Sequence, residues 1–202
     1  MDTDTLWKHT DQRRHEIVTL LRDLRPEEWD RPSLCEGWTV RDVAAHLSLA
    51  ETAAGRAAIE IVRARGSLNR MIHDTAVRRA ATWSDSAVID AVEATIGTHR
   101  HAIGVTDQEP LLDALVHGAD IAVPLGRALP MAPDAAAVAA TRVWSFGRRM
   151  SSAFRAQPRS FADGRRLVAT DVDWSAGQGP DLRAPIEQIL LLLTGRPVGL
   201  PA

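Results

Sequence analysis

Apolar residues recur with a helical period along most of the chain. Between residues 5 and 24 they fall at mostly helical spacing, and Pro26 ends the segment. A second helix is predicted to begin at Thr39, where Asp42 three residues later resembles a capping box, and to run to about residue 65. Its apolar stripe consists of Val40, Val43, Leu47, Ala50 and Ala54.

Three further helices follow. The third begins at Ser84 or Asp85 and runs through Ile96, and the fourth carries Pro110 in its first turn, a position that tolerates proline. The fifth covers residues 135–154. Since helices one to four each have an apolar face that must be buried against other helices, the pattern predicts a helical bundle.

The pattern changes after Pro158. Residues 161–164 are a typical hairpin turn, and residues 167–174 are rich in β-branched and aromatic side chains, so a short two-stranded ribbon is predicted. A last helix over 185–194 contains a run of four leucines and stops at Gly195. Because this helix is apolar on all sides, we expect it to be buried.

These elements predict a mainly α protein with two parts. Residues 1–157 form a metal-binding helical bundle of four helices with a fifth helix, and residues 158–202 form a small C-terminal β-hairpin and helix packed on the bundle. The length of 202 residues, with 45% hydrophobic and 25% charged residues, is typical of a compact globular protein.

Charge and hydropathy exclude two classes of partner. The formal net charge is −2 and basic residues are spread along the chain, so we expect no nucleic acid partner. The longest apolar run, residues 189–193, is far shorter than the roughly 20 residues of a membrane-spanning helix. The acidic N-terminus is unlike a signal peptide. These features predict a cytoplasmic protein that binds no membrane.

The single cysteine, Cys35, excludes an internal disulfide and suits a reducing compartment. It is either a small buried hydrophobic residue or a nucleophile. No neighbour in the sequence would lower the pKa of its thiol, so we interpret it as a buried residue.

Asp113 and His117 are the first candidates for chemistry. Four residues apart on one helix, they stand one turn apart on the same face and can converge on one ion. Asp120 lies on that face too. The same spacing is also found in a solvated polar face with a simple contact between Asp and His, and the pair alone does not decide between these interpretations.

His46 adds a third donor from another helix. It lies at the edge of the apolar stripe of the second helix, where an imidazole without a partner would lose solvation. A lone histidine there can be a hydrogen-bonded core residue, but two histidines and a carboxylate on facing helices can satisfy one another by binding a cation. Three protein ligands leave a coordination position open, as in catalytic zinc sites. Zinc, iron or nickel would suit the donors. The other five histidines form no ligand pattern.

Two segments carry a resemblance to a known family. Residues 34–47, with Cys35-Glu36-Gly37-Trp38-Thr39-Val40 and His46-Leu47, resemble the mycothiol-dependent maleylpyruvate isomerase family within the DinB-like metal-binding helical bundles. Residues 116–122 resemble its second signature, and residues 174–180 and 191–196 resemble the end of family members. The resemblance implies a DinB-like four-helix bundle.

The resemblance also implies a ligand set. In the family, zinc is coordinated by a histidine of the first motif and, in the second motif, by an acidic residue and a histidine four positions later. These ligands map onto His46, Asp113 and His117. The acidic ligand is usually glutamate, so the shorter Asp113 requires a closer approach of the helices or an intervening water. Asp120 would support a ligand or be purely structural. Arg78 and Arg79 fall near a region where family members carry an arginine close to the cavity, but the motif is loose and a solvated helix face is the favoured interpretation.

What the resemblance implies for function is a metal-dependent isomerase or S-transferase that uses mycothiol as thiol cosubstrate and acts on a small electrophile, as a monomer or homodimer. The alternatives are a DinB-like metal-binding or stress-related protein without turnover, and a purely structural metal site.

Overall fold

The computed structural model describes residues 1–49, 68–101, 106–146 and 164–197. The chain divides into two compact units, Met1–Leu129 and Pro130–Ala202. The domain boundary predicted between residues 157 and 158 falls outside the described residues and stays a prediction. None of the helices in the described ranges combines the length and apolar character that a membrane crossing requires.

The described secondary structure of the first unit is helical apart from an isolated antiparallel bridge between Pro32 and Thr39. Short 3₁₀ turns at Pro26–Glu28 and Val123–Leu125 follow its first and last helices. The helices are α1 Thr3–Arg22, α2 Val40–Leu47, α3 Leu68–Thr82, α4 Asp85–Glu93 and α5 Gln108–Ala122. The predicted starts at Thr39 and Ser84 are confirmed as N-caps, and Pro110 lies in the first turn of α5.

Two elements of this unit differ from the prediction. Helix α2 ends at Leu47, where the Ser48 hydroxyl donates to the Ala45 carbonyl and so competes with the helical hydrogen bonds. The predicted continuation to about residue 65 lies almost entirely outside the described residues. Helix α3 was not predicted, because its sequence is polar and has only a weak apolar periodicity.

Helix α2 lies at the centre of the packing in this unit. Helix α2 packs against α3, α4 and α5, and α1 packs against α4 and α5. Their shared core joins Val40, Val43 and Ala44 of α2 with Ala114 and Ile121 of α5. Ala44 and Ala114, on the two helices that carry the candidate ligands, are both buried in this core.

The described residues of the second unit form two helices and a small sheet. Helix α6 covers Pro133–Ser145 and α7 covers Ile186–Leu193, with Gly195 just beyond it at a φ of 81°. The strands are β1 Arg166–Ala169, β2 Ser175–Gly177 and β3 Asp181–Ala184, in the order β2-β1-β3. The burial predicted for the last helix is confirmed, since Ile189, Leu190 and Leu191 are each at most 3% exposed.

The sheet corrects the predicted two-stranded ribbon. Its antiparallel hairpin is formed by β1 and β2, so the turn of that hairpin lies between Ala169 and Ser175. The turn predicted at residues 161–164 lies almost entirely outside the described residues. A third strand, β3, pairs parallel to β1, with Leu167 opposite Leu182. Gly179 and Pro180 lie between β2 and β3. Such residues indicate the end of the ribbon in the sequence, but here they form the connection to its third strand.

Candidate metal centre

The three predicted ligands come together between α2 and α5. One donor atom each from His46, Asp113 and His117 lies within 4.8 Å of the other two. The Oδ1 atom of Asp113 is 3.2 Å from Nε2 of His46 and 3.4 Å from Nε2 of His117. Two donors that each bind zinc at about 2.1 Å with a tetrahedral angle are about 3.4 Å apart, so the spacing suits one ion.

The two helices approach closely enough for the short aspartate to reach both imidazoles. Asp113 has one methylene fewer than glutamate, yet its carboxylate already lies at ligand spacing from His46 and His117. The side chain of Asp113 is 30% exposed, while those of His46 and His117 are 16% and 12% exposed. The solvent side of the donor set is therefore at the carboxylate, where a water or substrate atom can approach.

The charge of Asp113 is well stabilised. Burial alone would raise the pKa of this carboxyl, but positive charge on His46 and His117 and a hydrogen bond with His46 outweigh it and lower the pKa from 3.8 to about 2. Asp113 is therefore ionised at neutral pH. An ionised carboxylate is the form that binds a cation.

His117 is oriented by a second carboxylate. Its Nδ1 atom lies 2.8 Å from Oδ2 of Asp120, and the Asp120 side chain is fully buried. Because a carboxylate accepts, Nδ1–H of His117 donates this hydrogen bond, which directs the Nε2 lone pair toward Asp113. This is the arrangement in which an outer carboxylate fixes the tautomer of a metal-binding histidine. The geometry places Asp120 as a support for a candidate ligand.

The arrangement of His117 between two carboxylates favours a positive charge at the site. His117 lies between the carboxylates of Asp113 and Asp120, and a neutral imidazole has one proton and can donate to only one of them. When that proton is on Nδ1, the Nε2 lone pair faces the Asp113 oxygen at 3.4 Å, which is repulsive unless positive charge lies there. A second proton on His117 or a divalent metal would supply it. The donors therefore fit a divalent metal ion.

Aromatic packing around the site was missed by the sequence reasoning. The Trp38 ring lies against those of His46 and His117, and His73 approaches it from α3 at 6.0 Å between ring centroids. Trp38 lies in the first of the two family-like segments, but nothing in the linear pattern indicates that its side chain turns toward the histidines. Only the folded loop before α2 brings them together.

The other sequence candidates lie at the margin of the site or outside it. Arg78 is exposed on α3 and donates to the Thr75 hydroxyl. Its neighbour Arg79 instead reaches the end of α2, where it donates to the carbonyl and hydroxyl of Ser48, two residues beyond His46. A role for Arg78 in cofactor binding stays a prediction.

Cys35 is partly buried in the loop before α2. Its backbone carbonyl accepts from Trp38 N–H, and its own N–H donates to the Ser33 hydroxyl. Its side chain packs against the core of the first unit, which agrees with the interpretation as a small hydrophobic residue.

Comparison with known proteins identifies the family. A sequence model described as the mycothiol maleylpyruvate isomerase N-terminal domain matches residues 10–119, more than half of the chain. The chain belongs to this family. The matched region includes His46, Asp113 and His117, which confirms the family resemblance of the sequence around them. No curated protein matches the chain.

A solved structure agrees with this assignment of the fold. The crystal structure of the mycothiol-dependent maleylpyruvate isomerase is similar with a TM-score of 0.54 and 11% sequence identity, over 100% of this chain and 97% of that one. The predicted fold class, a mainly helical DinB-like protein, is confirmed. At this identity the likeness extends to the fold alone.

Proposed function

We propose that the protein is a metal-dependent enzyme that uses mycothiol to isomerise, or to transfer sulfur to, a small electrophile. The observation that carries the proposal is the donor set of His46, Asp113 and His117, held at ligand spacing in a member of a family named for a mycothiol isomerase. Zinc suits two imidazoles and a carboxylate, and nickel or iron would also be accepted.

A divalent metal bound there would lower the pKa of a thiol enough to hold it as a thiolate at neutral pH. The protein would contribute three donors with fixed directions. Asp113 supplies negative charge, while Asp120 keeps the His117 proton on Nδ1 and leaves Nε2 as the donor. The exposed edge of Asp113 marks the side from which a thiol and an electrophile would approach.

The thiol must come from outside the chain. Cys35, the single cysteine, packs against the core, and its backbone carbonyl and N–H are held by hydrogen bonds within the loop. Buried thiols in apolar surroundings are poor nucleophiles. We expect mycothiol as cosubstrate, with Arg78 as a candidate contact, and maleylpyruvate as the first electrophile to test because the family carries its name.

The test is a thiol titration of the cobalt-substituted protein. Mycothiol should add an intense near-ultraviolet charge-transfer band to the cobalt spectrum, because sulfur would then be bonded to the metal. His117→Ala should abolish the band, whereas Ala in place of His15, an exposed histidine of α1, should leave it unchanged. Turnover of maleylpyruvate should require both thiol and metal and should survive Cys35→Ala.

If the spectrum of the bound cobalt does not change when mycothiol is added, the proposed thiol reaction is contradicted. The same sample would then support a metal-binding protein without turnover, in which the donor set is retained for binding alone. Loss of the band in both histidine variants would instead show that the effect is not specific to the site.

A further inference from the structure

The side chains of Trp38, His46 and His117 form one ring cluster. The centroids of Trp38 and His46 are 5.4 Å apart with the planes tilted by 57°, and those of Trp38 and His117 are 6.3 Å apart with nearly parallel planes. The two imidazoles meet edge to face at 4.7 Å. These separations are those of packed aromatic pairs, so the indole contacts both candidate metal ligands.

The two imidazoles are held in different ways. His117 has the Asp120 carboxylate on its Nδ1 atom. The Nδ1 atom of His46 is buried, and among the described residues it has no hydrogen-bond partner. A metal-binding histidine usually donates its second N–H to a neighbouring acceptor, which fixes the ring. The contact of Nε2 with Asp113 holds one edge of the His46 ring, so the direction of its Nδ1 edge depends on packing, and Trp38 provides a packing surface.

Trp38 is itself held firmly. Its N–H donates to the Cys35 carbonyl at 3.0 Å, and its carbonyl accepts from the Ser33 N–H at 2.9 Å. The same loop is tied to α5, because the Leu34 N–H donates to the Asp120 carbonyl at 3.1 Å. Trp38 is only 8% exposed. The indole is thus fixed relative to both ligand-bearing helices.

We infer that Trp38 is a positioning residue of the metal centre, whose indole sets the direction of the His46 imidazole in place of the missing hydrogen bond. The inference rests on the proposed function, because it requires a metal at this site. It assigns to Trp38 no contact with the metal. The indole supplies a flat, rigid wall that keeps Nε2 of His46 directed at Asp113 and keeps water away from the buried ring edge.

The experiment compares two buried tryptophans. Trp29 belongs to the same hydrophobic core, is 2% exposed, and packs under the Arg41 guanidinium at 5.3 Å, so Trp29→Leu removes similar apolar area. Both Trp38→Leu and Trp29→Leu should lower the thermal midpoint of the metal-free protein. Only Trp38→Leu should weaken cobalt binding, by about 10-fold or more, as expected when the support of a ligand is lost.

The visible absorption of bound cobalt provides the second measurement. In Trp38→Leu the band should weaken and shift, because a loosened imidazole lets the site relax toward a more hydrated geometry. Trp38→Phe, which keeps a flat ring of smaller size, should lose less affinity than Trp38→Leu. If Trp38→Leu does not fold, Trp38→Phe against Trp29→Phe tests the same point, with a spectral change expected in the first only.

A folded Trp38 variant with the affinity and cobalt spectrum of the wild-type protein would overturn the role of Trp38 and leave the metal centre intact. Equal losses in the Trp29 variant would also overturn it, since the effect would then come from general core damage. A wild-type chain that binds no cobalt would instead overturn the proposed function on which the inference rests.

Discussion

At the scale of single residues, the charge balance of the site depends on Asp113. Its carboxylate has a pKa of about 2 and lies between the two imidazoles. The sequence comparison raised the question of whether an aspartate is too short for a position usually held by glutamate. The structure brings its oxygen to ligand spacing without the extra methylene, so a longer side chain would carry the oxygen past the donor position.

Asp113→Glu should therefore weaken metal binding, by about 10-fold, or roughly 1.4 kcal/mol. Asp113→Asn should weaken it further, because an amide has the same shape but no charge to stabilise a cation. Isothermal titration with zinc measures both. An affinity that rises in Asp113→Glu would show that the carboxylate does not bind the ion directly.

Asp120 provides a second prediction for a single residue. Asp120→Ala leaves Nδ1 of His117 without its acceptor and frees the ring to change tautomer, so metal affinity should fall by about 10- to 100-fold. Asp120→Asn keeps an acceptor oxygen and should lose less. Because the loop contact to Leu34 uses the Asp120 backbone carbonyl, both variants retain it. Equal affinity in Asp120→Ala and the wild type would limit Asp120 to a structural role.

Part of this site could be predicted from the sequence. Helical geometry alone places Asp113 and His117 one turn apart. The position of His46 at the edge of the apolar stripe adds a third donor, and the family resemblance implies the same set. The approach of α2 to α5 could not be predicted, because it depends on how side chains far apart in the sequence pack within the core. The contact of Trp38 with both imidazoles depends on a loop fold that no periodicity describes.

At the scale of elements, Glu28 connects the two 3₁₀ turns of the first unit through hydrogen bonds. It lies at the end of the turn Pro26–Glu28, accepts from the Arg25 backbone N–H at 2.8 Å, and lies 3.0 Å from the Arg127 guanidinium beyond the turn Val123–Leu125. The pKa of Glu28 is lowered from 4.5 to about 2, mainly by hydrogen bonds from the backbone and side chain of Arg25. Burial opposes this shift, and the interaction with Arg127 adds to it.

This shift predicts a pH-dependent stability. Because the folded pKa is below the unfolded one, ionised Glu28 stabilises the fold fully above about pH 4.5, and this contribution is lost as the pH falls toward 2. Glu28→Gln should have a lower free energy of unfolding than the wild type at pH 7, with a difference that shrinks between those two values. Urea unfolding across this range measures it. A constant difference would mean that the charge of Glu28 plays no part.

Elements were predictable where local signals were strong. Thr39 and Asp42 form the predicted capping box at the start of α2, and Gly195 follows the last helix. Helix α3 was missed because its Arg, His and Asp residues mask an apolar face. Strand β3 was missed because its pairing with β1 is parallel and nonlocal, which a turn pattern does not report.

At the scale of the whole molecule, the family assignment and the donor set come from the same part of the chain. The family model covers residues 10–119, within the first compact unit, and that unit contains all three candidate ligands. The metal would join α2 to α5 and bind the folded chain only, so it should also raise the thermal midpoint.

The central claim is that His46, Asp113 and His117 hold one divalent ion, and the metal content of the purified chain tests it most directly. After equilibration with zinc and removal of free metal, plasma mass spectrometry should give close to one zinc per wild-type chain and per His15→Ala chain. His46→Ala and His117→Ala should retain almost none while remaining folded. Unchanged zinc content in both of these variants, or none in the wild-type chain, would contradict the account.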